Sequence, residues 1–359
     1  MSTISSDLTS RQLVQRALAG QAIPRPATGP LAVHFCARMA GVSLRRYTND
    51  SGVLADCVLQ YYERFRPDAL WLSADTWVTA EAMGAPVRFL NDDQPKGGTG
   101  TPLLRQAADL DRIPPPDPNS QGRWPLMRDA LRRIRQAVGE RVFLVACFDQ
   151  YPFSLACELL GTQQAMLCLT DDRDLLEAVM ERGLEYALAY AQSLAEVGAD
   201  MLSGGDSPAG LLGPRFYREV ALPIERRLIA DLKRTVQVPV SLHICGDSAP
   251  ILADMASSGA DVLELDYRVP IAAAAARVGP RVAIWGNLDP VAVLARGSPA
   301  EVRRATLELL QTAEQSGQRR FVLSSGCTLA VETPAENLQA MLDAAREHAD
   351  QRMRLRCGE

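Results

Sequence analysis

Short apolar runs alternate along the chain with longer stretches whose apolar positions recur at helical spacing. Eight of the short runs read as strands: Leu31–Cys36, Ala69–Ala74, Val142–Phe148, Asp200–Gly204, Pro239–Ile244, Asp261–Leu265, Arg281–Trp285 and Phe321–Ser325. The stretches between them predict helices over Gly52–Phe65, Leu126–Val138, Asp172–Val197, Pro214–Thr235, Ala249–Ser258, Pro299–Ser316 and Pro334–Arg352. Pro214, Pro299 and Pro334 suit a first helical turn, where a missing N–H costs nothing. Gly198 and Gly259 stand where a helix ends and a new strand begins. Eight strand–helix units with near-continuous apolar strands predict a parallel (β/α)8 TIM barrel. The competing reading, an open doubly wound sheet, lacks the GxGxxG turn that would open a first helix. Residues 1–30 read as a helical N-terminal extension, 31–352 as the catalytic barrel and 353–359 as a tail. Residues 84–125 interrupt the alternation after the second strand. Their Gly97-Gly98-Thr99-Gly100-Thr101-Pro102 and Pro114-Pro115-Pro116 predict a long excursion over the barrel mouth, placed to act as a lid.

Composition narrows the function without naming it. The 359 residues are 47% hydrophobic, enough for a large core, and carry a net charge of −5. An acidic chain with a pI near 5.5 lacks the basic face of a nucleic-acid binder. No apolar stretch reaches the length of a membrane span, and the N-terminus lacks the apolar core of a signal peptide. Cytoplasm is therefore the expected location. The eight cysteines are scattered, which favours free thiols over a disulfide framework. Cys57, Cys157 and Cys168 sit in apolar text and read as core. His348 lies on the polar final helix and reads as solvated.

In a parallel barrel the chemistry sits at the C-terminal ends of the strands. The residues at or just after those ends are His34, Asp75, Cys147 with Asp149, Asp206, His243 with Cys245, Asp266, Asn287 with Asp289, and Cys327. His243 and Cys245, one residue apart on an extended segment, project to the same side. With Cys327 from a distant strand end they form a set suited to zinc, leaving one position open. Two sulfurs and an imidazole disfavour magnesium and calcium. Buried small side chains and a satisfied core histidine are the alternative reading. A Cys–His nucleophile and base is another, less suited to neighbours on one face. Asp75 and Asp206 are candidate catalytic carboxylates, positioned to orient a substrate or the metal's surroundings, and Gly204-Gly205 would admit a close approach. His34 with Arg38, and Asn287 with Asp289, are candidate substrate contacts; a turn capped by Asn287 and Asp289 is the alternative for the last pair.

The chain resembles the uroporphyrinogen decarboxylase superfamily over roughly residues 30–350. Within it, the resemblance is to the zinc-dependent cobalamin methyltransferase branch that includes methylcobamide:coenzyme M methyltransferase. Four segments carry it: LHICGD at Leu242–Asp247, GNLDP at Gly286–Pro290, SSGC at Ser324–Cys327 and TPAENLQAMLDAAR at Thr333–Arg346. The resemblance implies a (β/α)8 barrel and zinc held by His243, Cys245 and Cys327. It implies methyl transfer between a methylcorrinoid and a thiol activated as zinc thiolate. The corrinoid would arrive on a separate protein, because the chain shows no DxHxxG cobalamin signature. The decarboxylase pattern fits less well. Its substrate-binding Arg-Gln-Ala-Gly-Arg run becomes Arg38-Met39-Ala40-Gly41-Val42, Glu158 stands in place of its tyrosine, and Cys327 replaces its C-terminal histidine. Only Asp75 matches its essential aspartate. Transfer to tetrahydrofolate, decarboxylation in a secondary pathway, and a non-catalytic corrinoid- or tetrapyrrole-binding barrel are the rival expectations. A homodimer is compatible with any of them.

Overall fold

The computed structural model of the protein describes residues 8–98 and 102–357, with side chains through Ala349. Eight parallel strands form the frame: β1 Ala27–Thr28, β2 Ala69–Leu72, β3 Phe143–Gln150, β4 Met201–Gly205, β5 Ser241–Ile244, β6 Val262–Leu265, β7 Ala283–Leu288 and β8 Phe321–Ser325. They follow in the order β1-β8-β7-β6-β5-β4-β3-β2, a nearly closed TIM-like barrel. The gap between β1 and β2 is bridged by one residue. The backbone N–H of Asp68 donates to Thr28 O at 3.0 Å, and its carboxylate accepts from the backbone N and Oγ1 of Thr28, both at 3.0 Å. Arg25 pairs with the same carboxylate. A fully buried carboxylate is tolerated because every bond it needs is made.

The first strand is not where the sequence pattern puts it. Leu31–Cys36 runs into a helix, Val33–Met39, and the strand is the two-residue Ala27–Thr28 upstream, inside the segment read as extension. The helix buries Val33, Phe35, Cys36 and Ala37, so its text is apolar nearly all round and mimics a buried strand. Gly29-Pro30 ends β1. A Cβ on Gly29 would lie 2.2 Å from Trp285 of β7, whose indole N–H donates to Gly29 O.

The helix Ser10–Leu18, closed at its start by a Thr9–Gln12 capping box, seals the lower end of the barrel. Leu13, Val14, Ala17 and Leu18 pack with Trp71, Phe143, Val145, Met201, Val262 and Trp285. Arg11 and Arg135 both reach Asp200 at the foot of β4. The larger core lies between the strands and the outer helices.

The excursion after β2 carries a small antiparallel pairing, Val87–Arg88 with Lys96–Gly97, and a 3-10 turn, Ala107–Arg112. Of its glycine run, residues 99–101 lie outside the described part. Seven cysteines are free, with Cys57, Cys157 and Cys168 buried in the core as expected; the side chain of Cys357 lies outside the described part. His348 is buried, not solvated: its Nε2 lies 3.1 Å from Glu314, on the side of the last helix that packs against Pro299–Gln315. No helix among the described residues is long and apolar enough to cross a membrane.

Candidate metal centre

β5 ends in His243 and Ile244, with Cys245 next; β8 ends in Ser325, with Gly326 and Cys327 next. Two strands of the ring, β6 and β7, separate the two segments, yet their ligand atoms converge. Nε2 of His243 and the sulfurs of Cys245 and Cys327 all lie within 4.8 Å of one another. Nε2 is 2.9 Å from the Cys245 sulfur, and the two sulfurs are 3.6 Å apart. Two sulfurs on one tetrahedral zinc stand about 3.8 Å apart, so the sulfur pair fits that ion. The other ring nitrogen, Nδ1, donates to Glu264 O at 2.9 Å, which turns Nε2, the nitrogen that would bind a metal once its proton leaves, toward the sulfurs.

The neighbouring loops hold this arrangement. Gly246 turns the chain at φ +85° directly after Cys245, and its N–H donates to Asp266 at 2.8 Å. Asn287 donates from its side-chain amide to Asp266 O and Val269 O, fixing the loop that carries Asp266. Gly326 must be glycine, since a Cβ there would lie 2.4 Å from the Tyr267 backbone nitrogen. Burial opposes protonation of His243, but the hydrogen bond and charge of Cys327 outweigh it and raise the imidazole to about 9. The hydrogen bond between the sulfurs lowers Cys245; with burial it pushes Cys327 up to about 12. An incoming metal ion would displace these protons. The donor set is therefore soft, three-membered and preorganised.

The other sequence candidates lie around the mouth in different states. Asp75 is buried in a two-pronged pair with Arg123, whose Nε also meets Glu81. Arg123 comes from the end of the excursion, so this pair ties the excursion to β2. Asp206 is fully buried. Its Oδ1 accepts from the backbone N and Oγ of Ser154, and its other side faces Glu225, which Tyr217 also bonds. Its backbone N–H donates to His243 O at 2.8 Å. The close neighbours at Gly204 are the rings of Phe148 and Tyr151, not a ligand. His34 is not at a strand end: it sits in the first turn of its helix and bonds Ala74 O at 2.7 Å, with Arg38 exposed one turn on. The Asp289 carboxylate caps the backbone N–H groups of Val291 and Ala292.

Glu264 escapes sequence reasoning, whereas Asp149 and Glu158 are legible there one by one but not as a pair. Glu264 lies within the apolar run of β6, its carboxyl raised by burial and bonded to Ser203 and Ser241 below His243. A charge inside an apolar strand was the available signal. Asp149 and Glu158 form an acidic shelf on β3 and the helix Pro152–Leu160, and burial pushes both carboxyls well above the usual range.

The sequence profile of the family described as Uroporphyrinogen decarboxylase (URO-D) matches residues 9–348. A uroporphyrinogen decarboxylase from Alkalilimnicola ehrlichii is 31% identical over 301 residues, covering 81% of this chain and 80% of that protein. The methylcobamide:CoM methyltransferase MtbA of Methanosarcina mazei is 34% identical over 199 residues, 55% of this chain and 56% of its own length. A solved structure described as a methyltransferase from Methanosarcina mazei superposes with a TM-score of 0.85 at 25% identity, covering 95% of this chain and 99% of that one.

Proposed function

The chain belongs to the uroporphyrinogen decarboxylase family, and we propose that it is a zinc-dependent methyltransferase that moves a methyl group between a methylcorrinoid and a thiol. The observation that carries this reading is the convergence of His243, Cys245 and Cys327 at the barrel mouth, in a chain similar to a methyltransferase over nearly its whole length. Zinc held there would supply an exchangeable position that keeps a substrate sulfur as thiolate at neutral pH. The chain's own groups do the positioning. Glu264 O fixes the His243 ring, Asp266 fixes the turn after Cys245, and Gly326 lets Cys327 reach the cluster. In the reaction a sulfur–carbon bond forms as the carbon–cobalt bond breaks, and the bonding pair stays with the corrinoid. The corrinoid enters as co-substrate on a partner protein. Leu211, 76% exposed, with Tyr267 and Val291, follows β4, β6 and β7 on the metal side of the mouth, which suits a covering partner.

Decarboxylation of a polycarboxylate porphyrinogen is the less favoured reading. Arg38 is exposed and Arg123 is already paired with Asp75 and Glu81, so neither is free to meet a substrate carboxylate inside the mouth. The purified protein is expected to hold about one zinc per chain, and Cys327→Ala to lose most of it by elemental analysis. Methylcobalamin with a thiol should bleach to the cob(I) or cob(II) spectrum with the wild type. Full zinc in Cys327→Ala, or an unchanged spectrum with every thiol, would overturn the reading.

A further inference from the structure

Among the described residues, no cationic side chain is hydrogen-bonded to the acidic shelf. Asp149 is 3% exposed; Thr79 satisfies its Oδ2 through N–H and Oγ1, but Oδ1 has no partner among the described residues. Glu158 accepts from Gln150 on Oε1, and its Oε2 is likewise buried without a partner. The nearby cation, Arg123, is committed to Asp75, Glu81 and Thr48 O. Two buried carboxyl groups with open acceptor atoms are costly unless a donor meets them.

The shelf stands two strands from the metal centre, at the same end of the barrel. Gln150 registers with Gly205, and Gly205 with His243, across three neighbouring strands. A Cβ on Gly205 would stand 3.4 Å from Gln150 Oε1 and 4.0 Å from His243 O. Two strand spacings, roughly 10 Å, separate the backbones of Gln150 and His243. A short substrate lying across these neighbouring strand ends would meet the metal ligands with a sulfur and the shelf with a cation. Glu158 also borders a cavity of about 240 Å³ walled by Trp77, Leu103 and Cys157. Two carboxyl groups fall short of the six to eight oxygens of a calcium site, whereas an ammonium group needs only a few acceptors and a non-polar wall.

We infer that Asp149 and Glu158 receive the ammonium end of the substrate thiol, so that the acceptor is a short aminothiol and not a sulfonate or carboxylate thiol. This rests on the zinc–thiolate reading above. Three thiols of equal chain length separate the possibilities: 3-aminopropane-1-thiol, 3-sulfanylpropan-1-ol and 3-sulfanylpropane-1-sulfonate, each titrated calorimetrically into the zinc-loaded protein. The aminothiol should bind at least roughly tenfold more tightly than the sulfonate, and Glu158→Gln should remove roughly tenfold of aminothiol affinity while leaving the alcohol unchanged. Glu158→Asp should keep part of the preference. Propylammonium, which has no sulfur, should bind the wild type and fail with Glu158→Gln. Equal or tighter sulfonate binding, or an equal loss for all three thiols in Glu158→Gln, overturns the assignment. If no thiol binds but propylammonium does so through Glu158, the shelf stands and the zinc–thiolate reading falls. If thiols bind without charge preference, the reverse holds.

Discussion

At the scale of single residues, buried carboxyl groups decide how the mouth behaves. Asp206 takes two hydrogen bonds from Ser154 on one oxygen and faces Glu225 with the other. Burial raises its carboxyl from 3.8 to about 6, so the folded protein holds that proton more tightly than the unfolded chain does. The associated stability is complete below about pH 4 and is lost as the pH climbs through 6. Asp206→Asn keeps the acceptor for Ser154 and supplies a permanent donor toward Glu225. It should therefore flatten the urea-denaturation stability between pH 4.5 and 7 and raise the value at pH 7; an unaltered pH slope would refute this. Asp266 acts on the metal loop through Gly246. Asp266→Ala is expected to weaken zinc binding about 10- to 100-fold, read by chelator competition, while the thermal midpoint of the zinc-stripped protein moves little. Both residues were visible in the sequence as strand-end carboxylates. Their partners Ser154, Glu225 and Gly246 were not assigned, because nothing in a linear pattern says which oxygen of a carboxylate a distant hydroxyl will find.

At the scale of elements, the excursion is anchored by Arg123, which is 48 residues from Asp75 in sequence. Arg123→Met would strand the buried Asp75 carboxylate and remove the partner of Glu81. A loss of about 3–5 kcal/mol is expected from chemical denaturation, and a loss under 1 kcal/mol would show that the pair is dispensable. The same pairing explains a limit of sequence reading. Excursion and strand were each legible, the first from its glycines and prolines and the second from Ala69–Leu72, but the bond between them was not. Phe321–Ser325 was legible to the residue because an apolar run stands between turn signals. Val33–Met39 was misread because its helical face and its back are both buried, and Ala27–Thr28 is too short to show any period. The candidate cluster His243, Cys245 and Cys327 was legible for the opposite reason: HxC on a strand fixes a shared side, and the ring of strands needs only one more sulfur at the same height.

At the scale of the whole molecule, the N-terminal helix is a structural part of the barrel. Leu13, Val14 and Leu18 bury their side chains against the lower strand ends, worth together roughly 5–9 kcal/mol, beside a typical total stability of about 5–15 kcal/mol. Removing residues 1–22 should lower the thermal midpoint by more than about 10 °C or leave the chain insoluble, and a midpoint within 3 °C of the full chain would contradict the sealing role. The wide separation of the ligands along the polypeptide has a temporal consequence. His243 and Cys245 leave the ribosome 82 residues ahead of Cys327, taking the spacing of the two sulfurs. Until the final strand docks, a nascent chain would offer a metal ion two donors instead of three, so full coordination by this set would come last in biogenesis and mark those chains whose closing quarter has folded.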